Sequence, residues 1–377
     1  MKAYKLCCLL WVCLVVISCS KSDGATEDNI IKDPGADAAY QLLLDQEGTL
    51  IGLSLEAKKE SMSVITSGNN FQPTALPQLD FKDGNEITLY QRTGDCGGTL
   101  TNYNYRSDTF VEKAIFSDLG DCSLQVNAVA ASNVSYYVAY ALEVSPMLTT
   151  YFVRVIARNS EDAPVDIPLI KKPVGLTFAN NRLFVLVLDE EVTNENGLMV
   201  FEADTNGFLI EVNLGYNARG IFKNKAGNLI VAYEELHSLL NSETLAVQYV
   251  NYQSGKEPNF AGSSLNNFDD QGKLYYEMPS GTNSIYPLVP AVYDFGQNLT
   301  VLYAYENFLT EVQRTVEFKI ETTTMVGFDG KNGYLLVGYS KSDGSGTGGL
   351  LRIKPIPEPA LIDHLTLDGI PYDIHVD

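Results

Sequence analysis

From residue 39 onward the chain consists of short apolar runs in which hydrophobic and polar residues alternate, separated by clusters of Asn, Asp and Gly. A period of two places one face of a strand on a core, whereas an amphipathic helix repeats every three to four residues. The runs are rich in Val, Tyr, Phe, Leu, Ile and Thr, which suit half-buried strand positions. One segment, residues 234–241, favours a short helix inside a loop. The pattern predicts an all-β protein.

A repeated unit follows from the same pattern. A turn residue followed by an alternating apolar run starts at residues 48, 85, 133, 181, 227, 298 and 333, so most intervals are 35 to 48 residues and one is 71. A four-stranded blade of a β-propeller takes about 40 to 50 residues. The long interval holds a further run, residues 272–276, which predicts either a degenerate blade or an elaborated loop. We therefore expect seven blades, with eight as an alternative.

The stretch from Lys172 to Asn217 shows the unit most clearly. Residues 174–179, 183–188, 198–202 and 208–212 read as four successive strands joined by short polar turns. Four antiparallel strands with tight turns make one blade, and the two faces of a blade pack on its neighbours.

The last nine residues, 369–377, form one more alternating strand with no partner after it. This arrangement resembles that of propellers in which an orphan terminal strand completes the blade begun at the other terminus. More loosely, the repeat pattern resembles the NHL-like and quinoprotein-like propellers. A WD40 propeller is disfavoured because the single tryptophan is Trp11, in the leader. A pair of β-sandwiches is the alternative fold.

The N-terminal residues have the layout of a secretory signal. Lys2 and Lys5 precede an apolar stretch over residues 6–17 and the small residue Ser18. That stretch is shorter than the roughly 20 residues that a membrane-spanning helix needs. The predicted organisation is a signal peptide over residues 1–18, a flexible tether over residues 19–38 that is rich in Ser, Gly, Asp and Ala, and a propeller over residues 39–377.

The residues Val16, Ile17, Ser18 and Cys19 resemble the lipobox of bacterial lipoproteins. The resemblance implies that the Cys19 thiol receives a diacylglyceryl group, that the leader is cut before it, and that the new amino terminus is acylated. Several acyl chains on one residue give stable anchoring. Lys21, Ser22 and Asp23 faintly resemble the export signals of surface lipoproteins in the Bacteroidetes. These resemblances imply an outer-membrane lipoprotein that is periplasmic or surface-exposed.

Charge and cysteine content restrict the partners. The formal net charge is −21, and it would be −23 once Lys2 and Lys5 are removed with the leader. So acidic a surface repels phosphate backbones, which argues against nucleic-acid binding. Outside the leader and Cys19, the remaining cysteines are Cys96 and Cys122. Because an exported chain folds in an oxidising compartment, we expect these two to form a disulfide.

No motif in the sequence predicts catalysis, a cofactor or a metal site. Residues 202–207 resemble the start of a calcium loop, but position twelve would be Asn213 rather than Glu, which favours a turn between strands. His364 and His375 lie in an acidic C-terminal segment, where the edge of the closing strands is favoured over a metal site. No nucleophile elbow, zinc motif or phosphate loop is present.

Two functions are compatible with these observations. The first is a lipid-anchored envelope module that binds or scaffolds an envelope protein or a glycan at one face of the ring, where loops converge. The second is a propeller enzyme, a polysaccharide lyase or hydrolase, with its active site in the central funnel. An enzyme would require acid, base or metal-binding groups from several blades to converge on the axis.

Overall fold

The computed structural model describes residues 37–376, except residues 60, 66–67, 95–96, 121–122, 146–147 and 261–264. Seven antiparallel sheets form a ring, and each sheet is one blade of a β-propeller. The predicted fold and the predicted number of seven blades are therefore confirmed.

The first four blades follow the chain order. Blade 1 contains β1 (Ala38–Gln46), β2 (Thr49–Lys58), β3 (Ser61–Ile65) and the short β4 (Thr74–Ala75). Blade 2 contains β5 (Leu79–Asp83), β6 (Glu86–Thr93), β7 (Gly97–Asn104) and β8 (Thr109–Ile115). Blade 3 contains β9 (Leu124–Ala131), β10 (Ser135–Ser145), β11 (Leu148–Ala157) and β12 (Val165–Leu169). Blade 4 contains β13 (Lys172–Ala179), β14 (Arg182–Leu188), β15 (Asn196–Glu202) and β16 (Gly207–Gly215).

The remaining strands complete the ring. Blade 5 contains β17 (Gly220–Lys223), β18 (Leu229–Ala232), β19 (Leu236–Leu240) and β20 (Val247–Asn251). Blade 6 contains β21 (Asn267–Phe268), β22 (Leu274–Pro279), β23 (Leu288–Asp294) and β24 (Leu299–Leu302). Blade 7 contains β25 (Ile320–Asp329), β26 (Tyr334–Lys341), β27 (Gly348–Lys354) and β28 (Ala360–Leu367), and the last strand is β29 (Ile370–Val376). A 3₁₀ turn (Tyr305–Asn307) and a π-helical turn (Gln313–Glu317) connect blades 6 and 7.

The C-terminal strand closes the ring, as the sequence predicted. β29 pairs antiparallel with β1 from Tyr40↔Val376 to Asp45↔Ile370, so it becomes the innermost strand of blade 1. Ile374 packs beside Leu336 and Met325 of blade 7, and all three side chains are buried. The two ends of the described chain are thereby held in one sheet, which closes the ring.

The core lies between the blades rather than inside one sheet. Seven clusters of buried apolar residues are present among the described residues, and each combines side chains of two adjacent blades. One example joins Val200 of blade 4 to Val231 of blade 5, both fully buried. Because both faces of each sheet are covered, the middle strands read as nearly continuous apolar runs, such as β14.

Five of the seven predicted repeat starts lead into the second strand of a blade, and the other two lead into a different strand. The run at residue 48 leads into β2, the third strand of blade 1 counted from the axis, and the run at residue 298 leads into β24, the outer strand of blade 6. The run at residues 272–276 leads into β22, the second strand of blade 6. It is therefore neither an eighth blade nor a loop. Alternation and a leading turn residue are shared by all strands of a blade, so they do not identify the strand's place in it.

The predicted helix over residues 234–241 is wrong. This segment contains β19, which pairs with β18 on one side and β20 on the other. The neighbouring strands supply partners for its backbone groups and bury Leu240 completely, so tertiary context decides the conformation of so short an apolar run. No helix in the described part of the chain is long and apolar enough to span a bilayer.

Candidate functional site

A wide channel runs along the axis of the ring. It is lined by the inner strands β5, β9, β13, β17, β21, β25 and β29 and by the turns that follow most of them, and it encloses about 1370 Å³. All inner strands run in the same direction and end on one face of the ring, which we call the turn face. The turns between first and second strands of blades 2 to 7 surround the channel there, and this opening is called the mouth.

The side chain of Lys82, on β5, lies in the central channel. Its ammonium donates hydrogen bonds to Asp373 Oδ1 at 2.7 Å, to Asn267 Oδ1 at 2.5 Å and to the carbonyl of Ile374 at 2.9 Å. Three acceptors satisfy the three donors of a lysine. The Lys82 side chain is 4% exposed and that of Asp373 is fully buried. Lys82 thus joins blade 2 to blade 1 and, across the axis, to blade 6.

The second carboxylate oxygen of Asp373 also accepts a hydrogen bond. The hydroxyl of Tyr105 donates to Asp373 Oδ2 at 2.7 Å. Burial, and then the neighbouring Asp373 carboxylate, raise the pKa of Tyr105 well above its ordinary value, so the phenol keeps its proton and remains a donor. The His375 ring stacks on Tyr105 with 5.2 Å between the ring centroids.

A second ion pair crosses the channel closer to the mouth. Lys223, the last residue of β17, donates to Asp83 Oδ2 at 2.6 Å, and Asp83 is the last residue of β5. Blades 5 and 2 lie nearly opposite each other in a ring of seven. At the rim, Lys225 pairs with Asp270 at 3.1 Å. The ionisable groups that converge on the axis are therefore bound to one another.

Five phenylalanines line the channel just below the mouth. Each is half-buried and lies among the last three residues of an inner strand, in blades 2, 4, 5, 6 and 7: Phe81, Phe178, Phe222, Phe268 and Phe328. We call this set the phenylalanine belt. Phe178 stacks on Tyr137 of blade 3 and Phe328 stacks on Tyr275 of blade 6, so the belt also packs neighbouring blades together.

Amide side chains surround the mouth outside the belt. One lies in the first turn of each of five consecutive blades, 2 to 6: Asn85, Asn133, Asn180, Asn224 and Gln271. We call these the rim amides. Asn224 caps its own turn, and the other four side chains make no hydrogen bond with another described residue. Among the five, a positive φ, which favours asparagine, occurs at Asn180 alone. A positive φ therefore accounts for Asn180 and not for the other four.

Thr177 adds a buried hydroxyl to the channel wall. The residue is fully buried and lines the channel, and its Oγ1 has no hydrogen-bond partner among the described residues. A buried hydroxyl without a partner costs free energy, so such groups in native proteins point to a bound water or ligand.

The predicted site residues fall mainly outside this region. Cys19, Cys96 and Cys122 lie outside the described residues, as does the lipobox. His364 packs against Phe318 on the outer strand of blade 7, 4.5 Å between ring centroids, whereas His375 lines the channel. Within the described ranges, no group of three or more His, Cys, Asp or Glu residues is placed to hold a metal ion. Residues 203–206 form the turn between β15 and β16, as expected.

Reasoning from the sequence did not identify the phenylalanine belt or the rim amides. The signal was present, because a phenylalanine or an amide recurs at the end of successive inner strands. This signal is visible only when the innermost strand of each blade is known. In blades 1 and 6 the repeat pattern of the sequence did not identify that strand correctly.

The mouth and the start of the described chain lie on the same face. β1 is antiparallel to β29, which ends at the turn face, and Tyr40 near the start of β1 pairs with Val376. The described chain therefore begins beside the mouth.

Comparison with known proteins supports the fold and leaves the family open. No family model and no curated protein matches the chain. A puromycin hydrolase structure is similar with a TM-score of 0.51 and 10% identity, over 91% of this chain and 55% of that chain. The AztD structure from Citrobacter koseri gives a TM-score of 0.44 and 8% identity, over 91% of this chain and 98% of that one. A functionally unknown protein from Desulfotomaculum acetoxidans gives a TM-score of 0.44 and 14% identity, over 70% of this chain and 81% of that one. At such identities the likeness shows a propeller fold alone.

Proposed function

We propose that this protein is a lipid-anchored component of the bacterial cell envelope whose propeller is a binding module for an envelope protein or a glycan. The ligand binds at the mouth of the channel. The lipid on Cys19 holds the protein on the outer membrane, and residues 20–36 act as the tether.

One observation carries the binding role. The mouth presents unpartnered amides around a half-buried aromatic belt, while the charged groups on the axis are bound to each other. A binding site needs a concave surface with apolar walls and a few polar groups free to reach the ligand. An acid–base pair needs groups free to exchange a proton, and Lys82 has all three donors engaged. The arrangement therefore favours binding over the alternative of a lyase or hydrolase.

The lipid anchor is supported by the resemblance of residues 16–19 to a lipobox. An extended chain from Cys19 to residue 37 spans at most about 60 Å.

The anchor is tested by labelling growing cells with radioactive fatty acid. We expect the wild-type protein and a Cys13→Ala variant, altered in another leader cysteine, to carry label and to fractionate with the outer membrane. Cys19→Ala should lose both properties. Retention of label and membrane association in Cys19→Ala would contradict the anchor.

The location of binding is tested with a photo-reactive amino acid in intact cells. The probe replaces Lys331, an exposed residue of the mouth, or Gln248, an exposed residue on the outer strand β20. Cross-linked adducts should form from position 331 and not from position 248. Adducts from position 248 alone, or from neither position, would overturn binding at the mouth.

A further inference from the structure

We infer that the mouth binds an uncharged glycan, whose sugar rings lie against the phenylalanine belt while their hydroxyls bond to the rim amides. This inference rests on the proposed function and names its ligand class. It depends on three properties of the mouth: its aromatic wall, its free amides and its compensated charge.

The belt supplies apolar surface that faces the channel. Five half-buried phenylalanines come from five of the seven blades, whereas blade 3 has alanines at the end of its inner strand, Ala130 and Ala131. Packing between two blades therefore does not require a phenylalanine at the end of the inner strand. The apolar faces of pyranose rings pack on aromatic side chains, and the belt places such side chains around one opening.

The rim amides supply matching hydrogen bonds. An amide side chain both donates and accepts, as does a sugar hydroxyl, so the two groups satisfy each other without a change in charge. Four of the five rim amides make no hydrogen bond within the described chain.

The charges at the mouth argue against a polyanionic ligand. Lys82, Lys223 and Lys225 each bind a carboxylate, and the Lys331 ammonium at the mouth has no ionic partner among the described residues. The protein as a whole carries a net charge of −21, which repels polyanions. One lysine does not compensate a polyanionic chain, so a neutral polymer is the better match.

The size of the channel agrees with an oligosaccharide. A volume of about 1370 Å³ exceeds the range of roughly 300–1,000 Å³ that is usual for small-molecule sites. Several sugar units of a chain therefore have room to enter at one time.

The test uses the purified mature chain and isothermal titration with cellohexaose, maltohexaose, mannohexaose and xylohexaose as neutral probes. Hexagalacturonate serves as the anionic counterpart. We expect binding of at least one neutral hexaose and none of hexagalacturonate. A triple variant, Asn85→Ala with Asn133→Ala and Gln271→Ala, should weaken binding by about 30-fold or more, because each lost hydrogen bond costs several-fold in affinity.

One control and one further test variant separate a loss of contacts from a loss of fold. Gln248→Ala, an exposed amide on the outer strand of blade 5, should bind like wild type. Phe81→Leu keeps the apolar volume nearly constant and should weaken binding by about tenfold through the loss of the aromatic face. All variants should show the circular dichroism spectrum of the wild type.

Several results would overturn the inference. They are binding of hexagalacturonate in preference to the neutral hexaoses, failure of every neutral probe to bind, or unchanged affinity in the triple variant. If position 331 cross-links to an envelope protein and no hexaose binds, the glycan inference fails while binding at the mouth stands. If neither occurs, both proposals fail.

Discussion

The ammonium of Lys82 and the carboxylate of Asp373 lie 2.7 Å apart on the axis of the propeller, and both side chains are almost completely buried. Lys82 belongs to the inner strand of blade 2, and Asp373 belongs to the C-terminal strand that completes blade 1. The pair therefore joins the closing strand to the next blade at a point where backbone pairing does not reach. Removal of one partner from a buried ion pair destabilises the fold, because the other charge remains uncompensated in a low-dielectric environment.

Replacement of Lys82 tests this role. Lys82→Met leaves the Asp373 carboxylate buried without its cation, and we expect the free energy of unfolding to fall by about 3 to 5 kcal/mol. Urea denaturation followed by circular dichroism measures the change. Adding Asp373→Asn to Lys82→Met should recover part of the loss, since the remaining amide carries no charge.

The matched control is Lys225→Met. Its partner Asp270 is 99% exposed, so the pair is screened by water and its loss should not change stability measurably. If Lys82→Met costs no more than Lys225→Met, the buried pair does not secure the closing strand.

The seam between blades 7 and 1 is also closely packed. A Cβ at Gly327 of β25 would lie 2.5 Å from Ile374 Cγ2 on the closing strand, which is closer than nonbonded carbons approach. We expect Gly327→Ala to lower the free energy of unfolding by about 1 to 3 kcal/mol, because one strand must shift. Thermal unfolding of the single variant measures this cost.

A double-mutant cycle separates the steric contact from other effects. Ile374→Ala removes Cγ2 and leaves space for the new methyl group, so Gly327→Ala should cost less in that background than in the wild type. A control at Gly330, where an added Cβ meets nothing within 4 Å, should be nearly neutral as Gly330→Ala. Strict additivity of the Gly327 and Ile374 substitutions would contradict the predicted clash.

The Cys96–Cys122 disulfide stays a prediction, because both cysteines lie outside the described residues. The described strands that flank the two cysteines are β6 and β7 on one side and β8 and β9 on the other, and Gly98 of β7 pairs with Ile115 of β8. Mass spectrometry of a non-reduced digest should find the two cysteine peptides linked. Reduction should lower the free energy of unfolding by about 3 kcal/mol in the chain-entropy model.

A double variant serves as the control. In Cys96→Ser with Cys122→Ser, the reductant should no longer change the unfolding transition. Two free thiols in the protein purified without reductant would show that the disulfide does not form.

The fold was largely predictable because each strand carries its own alternation. In blade 4 the predicted residues 174–179 and 183–188 lie within β13 and β14, and the closing strand was placed correctly. The channel was not predictable in the same way. Lys82, Asn267 and Asp373 are far apart in sequence and meet only when the ring closes. Local periodicity carries no information about which inner strands face each other across the axis.

His237 provides a pH-dependent test of a blade interface. Its ring is 2% exposed and lies among Tyr252, Phe260, Tyr293 and Phe295, with Nδ1 3.1 Å from the Tyr252 hydroxyl. Burial lowers the pKa of His237 from 6.5 to about 4. No carboxylate is among the groups that shift it. The folded protein therefore holds this histidine neutral between those pH values.

The sign of the effect follows from proton linkage. Between pH 6.5 and 4 the unfolded chain binds a proton at His237 and the folded chain does not, so the free energy of unfolding falls as the pH is lowered through this range. The total loss is on the order of 3 kcal/mol, and it is complete below about pH 4. Above pH 6.5 this residue gives no pH dependence. Urea unfolding at a series of pH values, with NMR titration of the histidine ring protons, measures both quantities.

The comparison of two histidine variants isolates His237 from the carboxylates that also titrate at low pH. His237→Phe should remove the extra pH dependence between 6.5 and 4, because no proton is then taken up at this position on unfolding. His364→Gln changes an exposed histidine on β28 and should keep the wild-type slope. A wild-type slope in His237→Phe would show that other groups carry the pH dependence. A His237 ring that titrates near pH 6.5 in the folded protein would show that water reaches the imidazole between blades 5 and 6.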